Sequence, residues 1–167
     1  MPRELYVMRH AKSSWGDASL ADLDRPLSKR GKRDAEAMGH MLARKGLSPD
    51  LILVSPAKRA SSTLKRLVKA SGYTGDTRIM AELYDTLERL LRGLANLPEG
   101  ASRVLLIGHN PALENLVHLF TGSTVLLPTA AIACIILEVD TWAEVGFQTK
   151  GTLRFVLTPQ IAGDDDA

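Results

Sequence analysis

Short apolar runs alternate with helical patterns along most of the chain. Three runs, at 5–8, 50–54 and 103–107, are continuous and end abruptly at polar residues, as buried strands of a parallel sheet do. After each run, apolar side chains recur at intervals of three and four residues, which predicts amphipathic helices. Strands that alternate with helices indicate an α/β sandwich with a mostly parallel central sheet.

Capping residues set the expected limits of these helices. Ser28 is a suitable N-cap for a helix that continues to about Lys45 and ends at Gly46, and a second helix is expected to end at Gly72. The pattern also predicts a strand at 77–80, a helix between 85 and 96, a helix after 111, and two β-like runs at about 132–139 and 153–158.

Length and composition favour one compact domain. The chain has 167 residues, of which 45% are hydrophobic and 24% charged, and this balance is ordinary for a globular domain. We expect the domain to span 1–162 and residues 163–167 to form a solvated acidic tail. No apolar run approaches the roughly 18 residues of a membrane span, and a net charge of +2 does not argue for nucleic acid. We therefore expect a cytoplasmic protein without a membrane or nucleic-acid partner.

Polar clusters follow three of the predicted strands. They are Arg9 and His10, the segment 55–59 with Arg59, and the segment 108–111 with His109. The carboxyl ends of strands in an open α/β sheet meet at one edge, where ligands bind. Two arginines and two histidines at this edge suit a tetrahedral dianion, since each guanidinium can donate two hydrogen bonds to it. Phosphate is the expected ligand.

Histidine at such an edge can also act as a nucleophile. An imidazole attacks phosphorus only when the ring is neutral and one nitrogen is free. Neighbouring cations disfavour protonation, so Arg9 and Arg59 are expected to lower the pKa of His10 while they bind the substrate.

Three sequence blocks resemble the histidine phosphatase superfamily. They are 5–12 (LYVMRHAK), 55–63 (SPAKRASST) and 107–111 (IGHNP). Asp24-Arg25-Pro26-Leu27, followed by Gly31, is similar to the SixA-type phosphohistidine phosphatases within it. The resemblance implies a three-layer α/β/α fold of the phosphoglycerate mutase-like kind. Ala11 departs from the usual glycine, and its methyl group should fit unless the backbone needs a positive φ.

The resemblance also implies roles for individual residues. His10 would be the nucleophile that becomes phosphorylated and is then hydrolysed. The phosphoryl group would be bound by Arg9, Arg59 and His109. From their positions alone, Arg25 in the long loop either folds over the phosphate or lies at the surface, Lys12 is expected to add to a basic rim, and Asn110 is a further candidate contact. A general acid is expected between the second and the last block, with Glu82 as first choice and Asp85 as second. The alternative is that Glu82 is a solvated residue at a strand end, since the resemblance to SixA-like enzymes implies that no strong acid is needed there.

The sequence contains no zinc-ligand spacing, no GxGxxG and no P-loop. We therefore predict neither a metal nor a nucleotide cofactor. The favoured function is removal of phosphate from phosphohistidine on a protein, with inorganic phosphate as product. The chain leaves little room for a cap between 82 and 103, which favours a shallow site open to a protein side chain. The alternatives are a phosphatase of sugar, nucleotide or terpenoid phosphates and a non-catalytic phosphate-binding module.

Overall fold

The structure is a computed structural model that describes residues 2–159. One six-stranded sheet lies between four helices. Its strands are β1 (Arg3–Arg9), β2 (Leu51–Val54), β3 (Asp76–Ile79), β4 (Arg103–Gly108), β5 (Ile132–Leu137) and β6 (Gly151–Leu157). The helices are α1 (Lys29–Arg44), α2 (Lys58–Ser71), α3 (Leu87–Ala95) and α4 (Ala112–Thr121). The predicted tail at 163–167 lies outside the described residues.

The sheet is mostly parallel. Its strand order is β3-β2-β4-β1-β5-β6. The pairs β2–β3, β2–β4 and β1–β4 are parallel, whereas β5 runs antiparallel to both β1 and β6. The predicted α/β class with a mostly parallel sheet is confirmed.

The middle of β1 is buried on both faces of the sheet, where successive side chains point to opposite sides. On β1, Leu5 and Val7 join the core under α3 and α4, whereas Tyr6 and Met8 join the core under α1 and α2. This arrangement gives the three layers that the resemblance implied. Within the described residues, no helix is long and apolar enough to cross a lipid bilayer.

Helix ends agree with the capping signals. The Ser28 hydroxyl accepts a hydrogen bond from the backbone N–H of Gly31 at 3.0 Å and so caps α1. Gly72 ends α2 with a φ of 74°, a conformation that glycine adopts without a Cβ clash. One strand differs in character from the others: β3 lies at the sheet edge and all four of its residues are exposed.

The strand register brings the polar clusters together. Arg9 is opposite Gly108 across β1 and β4, and Val54 is opposite Ile107 across β2 and β4. The residues that follow, His10, Ser55 and His109, therefore leave the sheet side by side at its carboxyl edge.

Close packing under the first turn of α1 fixes the chain just after His10. A Cβ added at Gly31 would lie 2.1 Å from the backbone oxygen of Lys12. Gly31→Ala is therefore expected to destabilise the fold by about 2 kcal/mol, because the overpacking outweighs the gain of about 1 kcal/mol in helix propensity. Urea unfolding measures this change. Gly100→Ala is the control, since its Cβ meets no atom within 4 Å, and equal stability of the two variants would contradict the prediction.

Candidate active site

His10 lies directly after β1 with its ring almost buried, at 7% exposure. Its backbone N–H donates to the Gly108 carbonyl at 3.0 Å. Its Nδ1 is 2.7 Å from the Ala11 carbonyl oxygen. A carbonyl can only accept, so Nδ1 carries the proton and Nε2 keeps its lone pair. A nucleophilic imidazole needs this tautomer.

Thr63 ties α2 to the end of β1. The backbone N–H of Ala11 donates to the Thr63 hydroxyl at 3.0 Å, and this hydroxyl donates to the Arg59 carbonyl at 2.7 Å. Ala11 itself is fully buried. Among the described residues other than glycine, a positive φ occurs at Ala130 and not at Ala11. The backbone therefore accommodates alanine in place of the usual glycine.

His109 lies beside His10, with 5.1 Å between the ring centroids. Its Nε2 is 2.7 Å from the Ser55 hydroxyl, which also accepts the backbone N–H of Ala57 at 3.2 Å. The other ring nitrogen, Nδ1, is buried and has no hydrogen-bond partner. Ser55 thus fixes the orientation of the ring and leaves one nitrogen for a ligand.

Buried polar atoms without partners concentrate at this edge of the sheet. Eight such side-chain atoms occur in the described part of the chain, and six belong to residues of one pocket. Four of the six are guanidinium nitrogens, from Arg9, Arg25 and Arg59. Because buried donors are nearly always satisfied in folded proteins, a cluster of unsatisfied ones indicates the place of an anion.

The pocket has a volume of about 220 Å³. It holds seven of the predicted site residues together: Arg9, His10, Lys12, Arg25, Arg59, His109 and Asn110. Ser13, Trp15 and Thr129 complete its wall. Among the described residues, no carboxylate lines it, and four of its side chains are cationic. The arrangement suits a phosphoryl group.

Burial lowers the pKa of both histidines. The pKa of His10 falls from 6.5 to about 4, chiefly through desolvation, while its hydrogen bond to the Ala11 carbonyl opposes the shift and the charges of Arg59 and Arg9 add to it. The pKa of His109 falls to about 3, again through burial first and then through His10. The sequence predicted that the pKa of His10 is lowered, but it attributed the shift to the arginines alone and not to burial. Both rings are neutral near pH 7.

This shift has a consequence for the pH profile. If the neutral ring of His10 is the reactive form, the acid limb of kcat/KM should lie near pH 4 and not near 6.5. Between these values the unfolded chain binds more protons than the folded one, so stability should also fall as the pH drops through this window. Both are measurable, as kcat/KM corrected for ionisation of the substrate phosphate and as urea unfolding. An acid limb at 6 to 7 would mean that the ring is solvated.

Glu82 does not line the pocket. It lies in a 3-10 helix, Ala81–Tyr84, with its Cγ about 3.5 Å from the position that a Cβ at Gly93 of α3 would take. Successive residues of a 3-10 helix point about 120° apart, so a different residue, Tyr84, faces the site. Its ring meets that of His109 edge-on, with 5.3 Å between centroids. Glu82 as the general acid stays a prediction that the lining of the pocket does not support.

Asp85, the second choice as acid, lines a neighbouring cavity of about 400 Å³ that also touches Arg59 and His109. One of its carboxylate oxygens accepts the Thr86 N–H at 2.8 Å, and the other pairs with Arg89 at 3.0 Å. Both oxygens are thus engaged at the start of α3.

The loop after His10 folds back over the site through Asp22, which sequence reasoning missed. Arg59 donates to the Asp22 carbonyl at 2.7 Å and to its carboxylate at 3.0 Å, and the Tyr84 hydroxyl donates to the same carboxylate. These bonds hold the pKa of Asp22 below its usual value, the Tyr84 bond most of all. The length of the loop was the available signal, but it could not single out Asp22.

Arg25 lies over the ring of Trp15, with 3.5 Å between its guanidinium carbon and the ring centroid. Its Nε is 3.5 Å from an Asp22 oxygen. The predicted Arg25 is therefore placed in the site by one aromatic and one acidic neighbour. Within the described residues, no cluster of three or more His, Cys, Asp or Glu side chains is arranged for a metal.

Comparison with known proteins agrees with this geometry. The family model for the histidine phosphatase superfamily (branch 1) matches residues 5–84. Phosphohistidine phosphatase SixA of Escherichia coli (strain K12) is 30% identical over 166 residues, which cover 93% of this chain and 94% of SixA. An uncharacterized chloroplastic protein of Arabidopsis thaliana is 33% identical over 173 residues, covering 97% of this chain and 78% of that protein.

A crystal structure from Agrobacterium tumefaciens that carries the SixA name superposes with a TM-score of 0.80 at 28% identity, over 95% of this chain and 99% of the other. The likeness to SixA thus extends over nearly all of this chain in both sequence and fold. The chain therefore belongs to the histidine phosphatase superfamily and is a hydrolase of the phosphatase type.

Proposed function

We propose that the protein hydrolyses phosphohistidine on a protein substrate through a phosphorylated His10. In the first step, the Nε2 lone pair attacks phosphorus, the P–N bond to the substrate imidazole breaks, and the leaving imidazole takes a proton from water. In the second step, water attacks the phosphorus on His10, the new P–N bond breaks, and inorganic phosphate leaves. The sum is phosphohistidine plus water giving histidine plus phosphate.

The pocket residues have distinct parts in these steps. The Nδ1–H of His10, bonded to the Ala11 carbonyl at 2.7 Å, steadies the ring as positive charge develops on it. The unpartnered donors of Arg9, Arg25 and Arg59 take up the phosphoryl oxygens. His109 and Asn110 complete the set, and the exposed Lys12 adds positive charge at the rim.

One observation supports phosphohistidine over a phosphate ester: the carboxylate bonded at the site, that of Asp22, has a lowered pKa and so holds no proton to give, and neither Glu82 nor Asp85 lines the pocket. An alkoxide leaving group needs a strong acid to protonate it. An imidazole leaving group needs none, because it accepts a proton from water once the labile P–N bond breaks. The position of Glu82 against α3 fits the same proposal.

Steady-state comparison of two substrates tests the proposal. One is a phosphotransfer domain that carries phosphohistidine, and the other is an aryl phosphate, whose good leaving group also needs no acid. We expect the domain to have the higher kcat/KM. Turnover of small phosphate esters without turnover of the domain would overturn the protein substrate and favour a small-molecule phosphatase. The cytoplasmic location and the domain limits of 1–162 remain predictions.

A further inference from the structure

A larger cavity lies away from the phosphate pocket. It has a volume of about 760 Å³ and runs between α1 and α2. From α2 it is lined by Lys58, Ser62, Lys65 and Lys69, which follow one another at helical spacing along the whole helix. From α1 it is lined by Lys32, Glu36 and His40, which form a matching stripe. We refer to this cavity as the basic groove.

Positive charge is concentrated in the basic groove. Five of its lining side chains are cationic, the four lysines and Arg66, against the single carboxylate of Glu36. That carboxylate pairs with Arg66 at 2.6 Å. Among the described residues, the four lysines form no ion pair with an acidic side chain. Since the whole chain carries only +2, the residues outside the groove and the phosphate pocket must be acidic on balance, and the groove stands out from them.

Two residues that line the basic groove are chain neighbours of residues that line the phosphate pocket. Lys58 directly precedes Arg59, and Pro26 directly follows Arg25, and both line the groove. A protein whose phosphohistidine reaches His10 would therefore cover this groove with the surface beside its modified residue. This continuity connects the groove to the reaction.

We propose that the basic groove is the docking surface for an acidic face of the phosphohistidine-bearing protein, an inference that rests on the proposed function. The groove follows the 14 residues of α2, which rise by about 1.5 Å per residue. It is therefore long enough to lie along one surface helix of a partner domain. A protein is favoured over an RNA or DNA duplex because the proposed substrate is itself a protein, and because the cationic side chains of the groove lie along a single helix and its neighbour.

Docking through complementary charges raises the rate of association with the substrate more than it changes the rate of the chemical step. Complementary charges speed association and are screened as the salt concentration rises, with a Debye length of about 10 Å at 0.1 M. Loss of the groove charge should therefore raise KM for the protein substrate and leave kcat unchanged. A small phosphate ester, which does not reach the groove, should be hydrolysed as before.

The test variant is Lys65→Glu/Lys69→Glu, which reverses two exposed charges of the groove. Its matched control is Lys45→Glu/Lys150→Glu. Lys45 follows the end of α1 and Lys150 precedes β6, both at the edge of the sheet opposite to His10. The two variants carry the same net charge. The substrates are an acidic phosphotransfer domain phosphorylated with phosphoramidate, and an aryl phosphate.

At low salt, the groove variant should lose at least about tenfold in kcat/KM for the domain through KM, a loss that 0.5 M salt largely removes. Its kcat/KM for the aryl phosphate and both values for the control should stay within about twofold of the wild type. An equal loss on both substrates, or an equal loss in the control, would overturn the docking surface.

Binding of the unphosphorylated acidic domain, measured by titration calorimetry at low salt, separates this inference from the proposed function. If the wild type binds the domain and the groove variant binds it more weakly, the docking surface is supported, even if the phosphorylated domain is not turned over. No binding by the wild type overturns it. Displacement of the domain by duplex RNA at equal concentration would overturn the choice of a protein partner.

Discussion

His10→Ala is expected to lower kcat by at least about 10⁴-fold on either substrate class, since loss of a covalent nucleophile removes the whole reaction path. His10 has an almost buried ring, a free Nε2 and a pKa lowered to about 4, whereas the ring of His109 is held through its Nε2 by the Ser55 hydroxyl. Fold stability should change little, because a buried neutral imidazole gains only one side-chain hydrogen bond, to the Ala11 carbonyl.

Rapid-quench incubation with a radiolabelled substrate checks this expectation. The wild type should carry label that is lost in acid and kept in alkali, and His10→Ala should carry none. His118→Ala is the control, because His118 is exposed on α4 and should react as the wild type does. Unchanged turnover in His10→Ala would show that a different residue accepts the phosphoryl group.

Arg59→Lys is expected to lower kcat/KM by roughly 10² to 10³-fold, although it keeps the charge. A guanidinium presents a planar fork, and that of Arg59 is only 7% exposed at the start of α2. Its two terminal nitrogens are aimed at Asp22, while its Nε is buried without a partner. An ammonium group can reach one of these positions but not all three.

Arg66→Lys is the matched control for this variant. Arg66 lies two turns further along the same helix, is 37% exposed and pairs with Glu36. Steady-state kinetics with an aryl phosphate, together with thermal unfolding, separate a catalytic loss from a loss of structure. A value for Arg59→Lys within threefold of the wild type would mean that charge alone binds the phosphoryl group.

Local signals predicted the elements that bear the site. The continuous apolar strands, Ser28 as cap and Gly72 as helix end are all properties of neighbouring residues, so the sequence determined them. The strands' common direction then placed His10 and His109 at one edge. The order of strands in the sheet and the position of exposed β3 depend on contacts between distant segments, and no local pattern encodes them.

The part of the site that sequence reasoning missed depends on such distant contacts. Asp22, Arg59 and Tyr84 come from three separate segments and meet only in the folded chain. Glu82 was chosen by its position along the chain, but a 3-10 helix turns it toward α3. Whether Glu82 or Tyr84 points into the site depends on the backbone dihedral angles of this 3-10 helix, and composition and spacing do not determine those angles.

The contact between Asp22 and Arg59 has a further consequence for turnover. One terminal nitrogen of the Arg59 guanidinium donates to the Asp22 carboxylate at 3.0 Å, and the other donates to the Asp22 backbone carbonyl at 2.7 Å. A phosphoryl group that uses the same two nitrogens must therefore displace both the carboxylate and the carbonyl of Asp22. The exchange weakens binding of substrate and product alike. At the end of each cycle, the Asp22 carboxylate competes with inorganic phosphate for Arg59. The loop that carries Asp22 thus helps to release the product.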